Sequence, residues 1–206
     1  SVRGGTAAYD FVTTEIGGTV GDIESLPYIE AVRQLRWELG SKCVCIHLTY
    51  VPYIRAAAEL KTKPTQHSVK MLQQEGIQPD ILVLRTEKDL PASMRRKVAL
   101  FCNVSPDAVI QSIDVPSIYQ VPLNMHEQRL DDIVLEKTGT PSQGEPDLDK
   151  WNHFLNMMQS ATDEVRVGLV GKYVQLQDAY KSIDESLFQA CTYHGRKLKL
   201  TYINSE

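Results

Sequence analysis

The stretch Lys61–Arg85, KTKPTQHSVKMLQQEGIQPDILVLR, places a helix, a turn and a strand in immediate succession. The segment from about Pro64 to Glu75 has a helical pattern, and Gly76 is suited to end a helix. Asp80–Arg85 then forms a short apolar run, which is typical of a buried strand. A helix that leads directly into such a strand favours an α/β fold.

The same alternation of strand and helix extends on both sides of this stretch. We predict strands at Tyr9–Glu15, Cys43–Val51 and Val109–Ser112, and helices at Leu26–Leu39 and Ser93–Phe101. This order is typical of a parallel sheet with helices on both of its faces. Ligands of such sheets bind beyond the carboxyl ends of the strands.

The last third of the chain has a different organisation. In chain order we predict a helix at Met125–Lys137, a turn-rich linker at Thr138–Pro146, a helix at Leu148–Ala161, a strand at Val165–Val170, a helix at Asp178–His194 and a strand at Lys197–Asn204. One strand–helix–strand unit cannot bury both faces of its own strands. We therefore expect a second α/β domain that is incomplete in this chain.

Composition and charge exclude several classes of protein. The 206 residues are 42% hydrophobic and 23% charged, which is typical of a globular chain. A formal charge of −4 lacks the basic excess expected of a nucleic-acid-binding protein. The four cysteines form no C-x-x-C pair, and no apolar run approaches the roughly 20 residues of a membrane-spanning helix. We expect a soluble cytoplasmic protein without nucleic-acid or membrane partners.

Carboxylates follow the predicted strand ends at two places. Glu15 precedes Gly17-Gly18, where backbone can approach a ligand closely while the carboxylate meets a hard cation such as Mg²⁺. A solvated carboxylate is the alternative. Asp22 suits a helix N-cap as well as a ligand contact. Asp114 could accept a hydrogen bond from an adenine amino group or simply form a turn.

A second cluster of candidate residues is basic. Lys61 and Lys63 flank Thr62 immediately before Pro64, a residue favoured in the first turn of a helix. Two ammonium groups, a hydroxyl and a helix N-terminus would then converge on a triphosphate. Lys97, on the predicted Ser93–Phe101 helix, could join them. Solvated lysines are the alternative for all three.

Taken in order, several motifs resemble the CTP synthase family, whose members are glutamine-dependent amidoligases that convert UTP to CTP. They are EIGGTVGDIESLP at Glu15–Pro27, RQLRW at Arg33–Trp37, KTKPTQHSVK at Lys61–Lys70, GIQPDIL at Gly76–Leu82, ALFCNV at Ala99–Val104, SIY at Ser117–Tyr119, and VGKY followed by DAYKS at Asp178–Ser182. The resemblance covers almost the whole chain.

The resemblance assigns roles to particular residues. It implies that Glu15 binds Mg²⁺ beside ATP. It implies that the pyrimidine of the inhibitor CTP is contacted by Asp22, Ile23 and Glu24. It implies that UTP or CTP is held by Lys61, Thr62, Lys63, Pro64, Thr65, Gln66 and Lys97. It implies that the adenine of ATP lies beside Arg85, Ile113, Asp114 and Val115. Ile113 departs from the lysine expected there, and no catalytic residue is implied within this chain.

The resemblance also implies a reaction and a domain order. ATP phosphorylates the uracil 4-oxygen, and ammonia released from glutamine by a Cys-His-Glu glutaminase domain displaces the phosphate. Residues 1–138 would be the synthetase domain, Rossmann-like and of the phosphate-loop NTPase type, without its N-terminal phosphate loop. Residues 139–164 would be a linker, and residues 165–206 the start of the glutaminase domain. We expect such a fragment to be inactive alone.

The family resemblance implies further partners. GTP is an expected activator, and the family forms homotetramers that can polymerise into filaments. Two alternatives remain. The chain could be a non-catalytic nucleotide-binding or oligomerisation module. It could also be a relative of dethiobiotin synthetase, but that alternative does not explain KTKPTQ at Lys61–Gln66.

Overall fold

A parallel three-stranded sheet lies at the centre of the first of two structural units. The computed structural model describes residues 9–142, 144–176 and 178–205, and the division between the units follows Ser142. The strands of the first unit are β1 (Ile46–Tyr50), β2 (Tyr53–Ile54), β3 (Glu59–Leu60), β4 (Ile81–Thr86) and β5 (Val109–Ile113). Its helices are α1 (Leu26–Leu39), α2 (Lys63–Gln74), α3 (Ala92–Cys102), α4 (Val121–Glu127) and α5 (Leu130–Thr138).

Strand β4 occupies the middle of the sheet, in the order β1-β4-β5. Both neighbours run parallel to it: Leu48 of β1 lies opposite Val83, and Leu84 lies opposite Gln111 of β5. The apolar residues of β4 are buried on both faces, which explains why its sequence is a continuous apolar run. Together with the flanking helices, this sheet confirms the predicted α/β fold class.

Helices α1, α2 and α3 confirm the predicted helices to within a residue or two at each end. Pro64 lies in the first turn of α2, where its missing N–H leaves no hydrogen bond unmade. Gly76 follows α2 with φ +80°, and an added β-carbon would lie 2.9 Å from Arg33 Cδ, so a larger residue would be strained there. Asn103 ends α3 in the left-handed conformation.

The predicted strand at Tyr9–Glu15 is wrong for this structure. The segment is irregular, and Tyr9 and Val12 are 67% and 68% exposed. A strand forms where backbone N–H and C=O groups find a neighbouring strand, and among the described residues none pairs with this segment. Its apolar pattern predicted burial, but no strand in the described part of the chain covers this segment.

The predicted strand at Cys43–Val51 is shorter than expected. Strand β1 begins only at Ile46, so the half-buried Cys43 and Cys45 precede it. Asp80 explains the late start, because its carboxylate accepts hydrogen bonds from the Cys45 N–H at 2.7 Å and from the Arg36 guanidinium. The Cys45 carbonyl still accepts from the Asp80 and Ile81 N–H groups, so just before β1 the Asp80 side chain takes one of the positions that a strand partner would fill.

The predicted helix at Met125–Lys137 is two helices. Arg129 separates α4 from α5 in the left-handed conformation, with φ +62°. The preceding Gln128 explains the break: its side chain accepts a hydrogen bond from the Gln111 N–H at 2.8 Å and donates to the Gln111 carbonyl at 2.7 Å. This pairing covers the free edge of β5 with a side chain in place of a strand.

The second unit contains α6 (Asp149–Ser160), β6 (Asp163–Gly171), α7 (Lys181–Tyr193) and β7 (Arg196–Asn204). Strands β6 and β7 pair in parallel over their whole length, which confirms the predicted strand–helix–strand unit. Much of the predicted linker at residues 139–164 is helical, because α6 lies within it. Gln143 of that linker, and residues 1–8 and 206 at the ends of the predicted domains, lie outside the described residues.

Candidate nucleotide-binding site

A cavity of about 750 Å³ opens beside the first turns of α2 and α3. Its basic residues are Lys61, Lys63 and Lys97, and its one carboxylate belongs to Glu59. Apolar side chains, including those of Ile54, Leu60 and Met94, form much of the remaining wall. The structure therefore brings Lys97 to the Lys61–Pro64 segment, as the basic-cluster hypothesis requires.

The β2–β3 hairpin and the first turn of α2 hold the lysines in place. The Lys61 N–H donates to the Pro52 carbonyl at 3.0 Å, which fixes the chain as it leaves β3. Thr62 is buried, and its hydroxyl accepts a hydrogen bond from the Gln66 side chain at 3.2 Å. Thr62 and Gln66 therefore support the loop from within, while Lys61 and Lys63 remain exposed.

The cavity carries a positive charge. Lys61 Nζ lies 2.5 Å from Glu59 Oε2, whereas Lys63 and Lys97 have no ion-pair or hydrogen-bond partner in the part of the chain that the structure describes. Three ammonium groups against one carboxylate leave a net charge of +2. The helix N-termini at Lys63 and Ala92 add to this potential, because their free N–H groups attract anions.

Thr65, which the family resemblance places at the nucleotide, is fully buried in this structure. Its hydroxyl lies 3.1 Å from the Thr49 hydroxyl and donates to the Tyr50 carbonyl at 3.2 Å. The side chain thus faces β1, and Thr65 does not line the cavity.

The predicted adenine-binding residues lie at the carboxyl ends of β4 and β5. Arg85 Nε lies 3.3 Å from Asp114 Oδ1, and the Asp114 N–H donates to the Thr86 carbonyl at 3.0 Å. Ile113 pairs with Thr86 in the sheet, and Val115 is half-buried. The structure brings these residues together at the edge where α/β sheets bind ligands, although they do not line the lysine cavity.

The segment that precedes α1 forms a turn stabilised by Asp22. Its carboxylate accepts from the Thr19 N–H at 3.0 Å, and its own N–H donates to the Thr19 carbonyl at 3.0 Å. The prediction of Asp22 as a helix N-cap is wrong, because α1 begins only at Leu26 and the carboxylate binds upstream. Ile23 and Glu24 are exposed, and neither they nor Asp22 lines the cavity.

The predicted metal ligand Glu15 is exposed and has no partner among the described residues. No group of three or more His, Cys, Asp or Glu residues that could hold a metal occurs in the described ranges. A single free carboxylate is compatible with Mg²⁺, which usually takes one or two protein carboxylates and completes its coordination with water and phosphate. It does not suit a metal that requires a full set of protein ligands.

Sequence reasoning missed two features of this site. The first is the ion pair between Glu59 and Lys61, for which the only signal in the sequence is that Glu59 lies two positions before Lys61. Ser93 and Met94 line the cavity from the first turn of α3, and no pattern in the sequence points to them.

The half-buried Cys45 and the buried Cys102 are poorly suited to act as nucleophiles. Burial raises the pKa of Cys45 to about 11, and it raises the pKa of Cys102 to about 11 as well. Both thiols therefore stay protonated at neutral pH.

Each helix within residues 9–142, 144–176 and 178–205 is too short or too polar to span a lipid bilayer.

Comparison with known proteins supplies the family. A family model described as the CTP synthase N-terminus matches residues 2–139, about two thirds of the chain. The chain belongs to the CTP synthase family. The match ends close to Ser142, where the two structural units divide.

Individual CTP synthases match both units. The chain is 62% identical over 203 residues to the CTP synthase of Porphyromonas gingivalis, covering 98% of this chain and 38% of that protein. It is 64% identical over 198 residues to the CTP synthase of Bacteroides fragilis, covering 96% and 37%. The CTP synthase of Christiangramia forsetii is 56% identical over 206 residues, covering 100% and 38%. The chain therefore spans less than two fifths of the length of these relatives.

Proposed function

We propose that this chain is part of a ligase that makes CTP from UTP, ATP and ammonia, and that its lysine cavity holds the triphosphate of the pyrimidine nucleotide. The observation that carries the proposal is that Lys97 and the Lys61–Pro64 segment, distant in sequence, line one cavity with a net positive charge. A triphosphate needs this combination of converging cations and helix N-termini.

Each lysine has a distinct role in this proposal. Lys63 and Lys97 have no partner among the described residues, so their ammonium groups would donate directly to phosphate oxygens. Lys61 shares its charge between Glu59 and the nucleotide. Thr62, Pro64, Thr65 and Gln66 complete the predicted UTP and CTP segment by shaping the loop and the first turn of α2.

The ATP side of the reaction is assigned to the carboxyl ends of β4 and β5. In this proposal Asp114 accepts a hydrogen bond from the adenine amino group, and Arg85, Ile113 and Val115 surround the adenine. Glu15 supplies a carboxylate for Mg²⁺, and the bound ion would neutralise phosphate charge. Asp22, Ile23 and Glu24 are the proposed contacts of the CTP pyrimidine.

The proposed chemistry requires two nucleotides to be oriented toward each other. ATP transfers its terminal phosphoryl group to the uracil 4-oxygen, and ammonia then replaces that phosphate at the same carbon. The residues of this chain bind and orient the nucleotides, and none of them is proposed to form a covalent intermediate. Such a site works mainly through positioning and charge stabilisation.

The remaining assignments rest on family membership. We propose residues 1–138 as synthetase domain, residues 139–164 as linker and residues 165–206 as the start of a glutaminase domain that releases ammonia from glutamine. We also propose a cytoplasmic homotetramer with GTP as its activator. The match to a curated CTP synthase extends over 98% of the chain and therefore includes the second unit, which supports this assignment.

A chimeric enzyme tests the proposal. In it, this segment replaces the matching part of the Porphyromonas gingivalis relative, and CTP formation is followed with UTP, ATP and ammonia. Lys63→Ala and Lys97→Ala each remove a charge-assisted contact of about 1.5–3 kcal/mol, so each should raise the UTP KM about 10- to 150-fold. Lys70→Ala, also an exposed lysine of α2 but outside the cavity, is the matched control.

Three outcomes separate the alternatives. A selective rise in the UTP KM for the two cavity variants supports the proposal. A chimera that binds UTP without making CTP would instead favour a non-catalytic nucleotide-binding module. Equal effects of Lys63→Ala and Lys70→Ala would mean that the cavity is not the UTP site.

A further inference from the structure

Two polar pairs join β1 to α2. His47 and Thr49 are two residues apart on β1, so both side chains point to the same face. Thr49 Oγ1 lies 3.1 Å from Thr65 Oγ1, and His47 Nε2 lies 2.9 Å from Ser68 Oγ. His47, Thr49 and Thr65 are buried and Ser68 is half-buried, which makes these pairs polar contacts in the interior.

The hydrogen-bond direction between Thr49 and Thr65 follows from counting protons. Thr65 has one hydroxyl proton, and it donates that proton to the Tyr50 carbonyl at 3.2 Å. Thr49 must therefore be the donor to Thr65. The result is a relay that runs from the Thr49 hydroxyl through the Thr65 hydroxyl to the backbone of β1.

This relay holds the first turn of α2. The buried apolar contacts of the helix lie further along, at Val69 and Leu72. Apolar contacts tolerate small rotations and shifts, whereas hydrogen bonds require a particular geometry. Thr65 lies in the same turn as Lys63 and Pro64, which line the lysine cavity. The relay therefore adds to the Lys61–Pro52 and Thr62–Gln66 hydrogen bonds that hold this segment, and it does so from β1.

We propose that Thr49 is a positioning residue for the lysine cavity, and that Thr65 acts through Thr49 and the β1 backbone without touching the nucleotide. The inference rests on the proposed function, because it assumes that the cavity binds UTP. In this proposal the buried Thr65 positions the first turn of α2 and does not bind the nucleotide. Thr49 lies outside the KTKPTQ segment, on β1.

Variants of the chimeric enzyme test this inference through the KM values for UTP and for ATP. Thr49→Val removes one hydrogen bond and should raise the UTP KM about 2- to 10-fold. Thr65→Val removes both bonds of the relay and should raise it further. Thr49→Ser keeps the hydroxyl and should restore a UTP KM close to that of the parent. Thr192→Val makes the same change at a buried threonine of the second unit and is the matched control.

A double variant distinguishes a relay from two separate packing effects. Once Thr65 has lost its hydroxyl, Thr49 has no acceptor there, so Thr49→Val should add little to Thr65→Val. Fully additive effects on the UTP KM would contradict the relay. The melting temperature of each variant is measured alongside. Loss of stability without a selective change in the UTP KM would overturn the inference.

The Lys63→Ala variant separates failure of the inference from failure of the proposed function. If Lys63→Ala raises the UTP KM and Thr49→Val does not, the relay is rejected and the cavity remains the UTP site. If neither variant changes the UTP KM, the proposed function fails at this cavity, and the positioning role of Thr49 fails with it.

Discussion

Glu59 should weaken nucleotide binding in the lysine cavity, and Glu59→Gln should therefore strengthen it. Glu59 Oε2 lies 2.5 Å from Lys61 Nζ, and the two side chains are about half exposed, at 56% and 46%. An exposed pair of this kind is worth about 0.2–1 kcal/mol. Releasing Lys61 from Glu59 also raises the net cavity charge from +2 to +3. We expect Glu59→Gln to lower the UTP Kd by about 1.4- to fivefold.

Isothermal titration of UTP into the chimeric enzyme at low and high salt measures this effect. The gain should shrink as salt rises, because salt screens exposed charges. Glu75→Gln removes an exposed carboxylate just beyond the other end of α2 and should leave the Kd unchanged. Weaker UTP binding by Glu59→Gln, or an equal gain from Glu75→Gln, would refute the charge assignment.

Three further predictions concern other parts of the structure. Burial lowers the pKa of His47 below its usual value near 6.5, so folding stability should fall as pH drops below that value. Melting curves from pH 8 to pH 5 should show this loss in the parent but not in His47→Gln. Gln128→Ala removes three hydrogen bonds to Gln111 and Asn124 and should lower the free energy of unfolding by about 1.5–4 kcal/mol in urea titrations. An unchanged urea midpoint would mean that the hydrogen bonds of Gln128 to the edge of β5 do not contribute to stability. In the chimeric enzyme, Glu15→Ala should abolish CTP formation from glutamine and from free ammonia alike while glutamine hydrolysis survives, and near-normal turnover would rule out the metal assignment.

The elements that the sequence predicted well carry their own signals. Helix α2 has a proline at its start, a glycine after its end, and buried residues at helical spacing, namely Thr65, Val69 and Leu72. Strand β4 is a continuous apolar run because both of its faces are covered. The basic cluster was predictable in part, since Lys61 and Lys63 adjoin a helix start that the sequence marks with Pro64.

The elements that the sequence did not predict depend on contacts between distant residues. Tyr9–Glu15 has the composition of a strand, but pairing decides whether a strand forms. No glycine or proline marks the break at Arg129, which follows from the hydrogen bonds of Gln128 to β5. The burial of Thr65 could not be predicted for the same reason, because the motif identifies the residue but not the direction of its side chain.

The most direct test of the central claim is a structure of the chimeric enzyme with UTP bound, determined by crystallography or electron cryomicroscopy. Triphosphate density should appear in the cavity beside the first turns of α2 and α3. Phosphate oxygens should lie within hydrogen-bond distance of Lys63 Nζ and Lys97 Nζ, and Thr65 should remain buried against Thr49. A triphosphate bound elsewhere, with both lysines still in solvent, would contradict this claim.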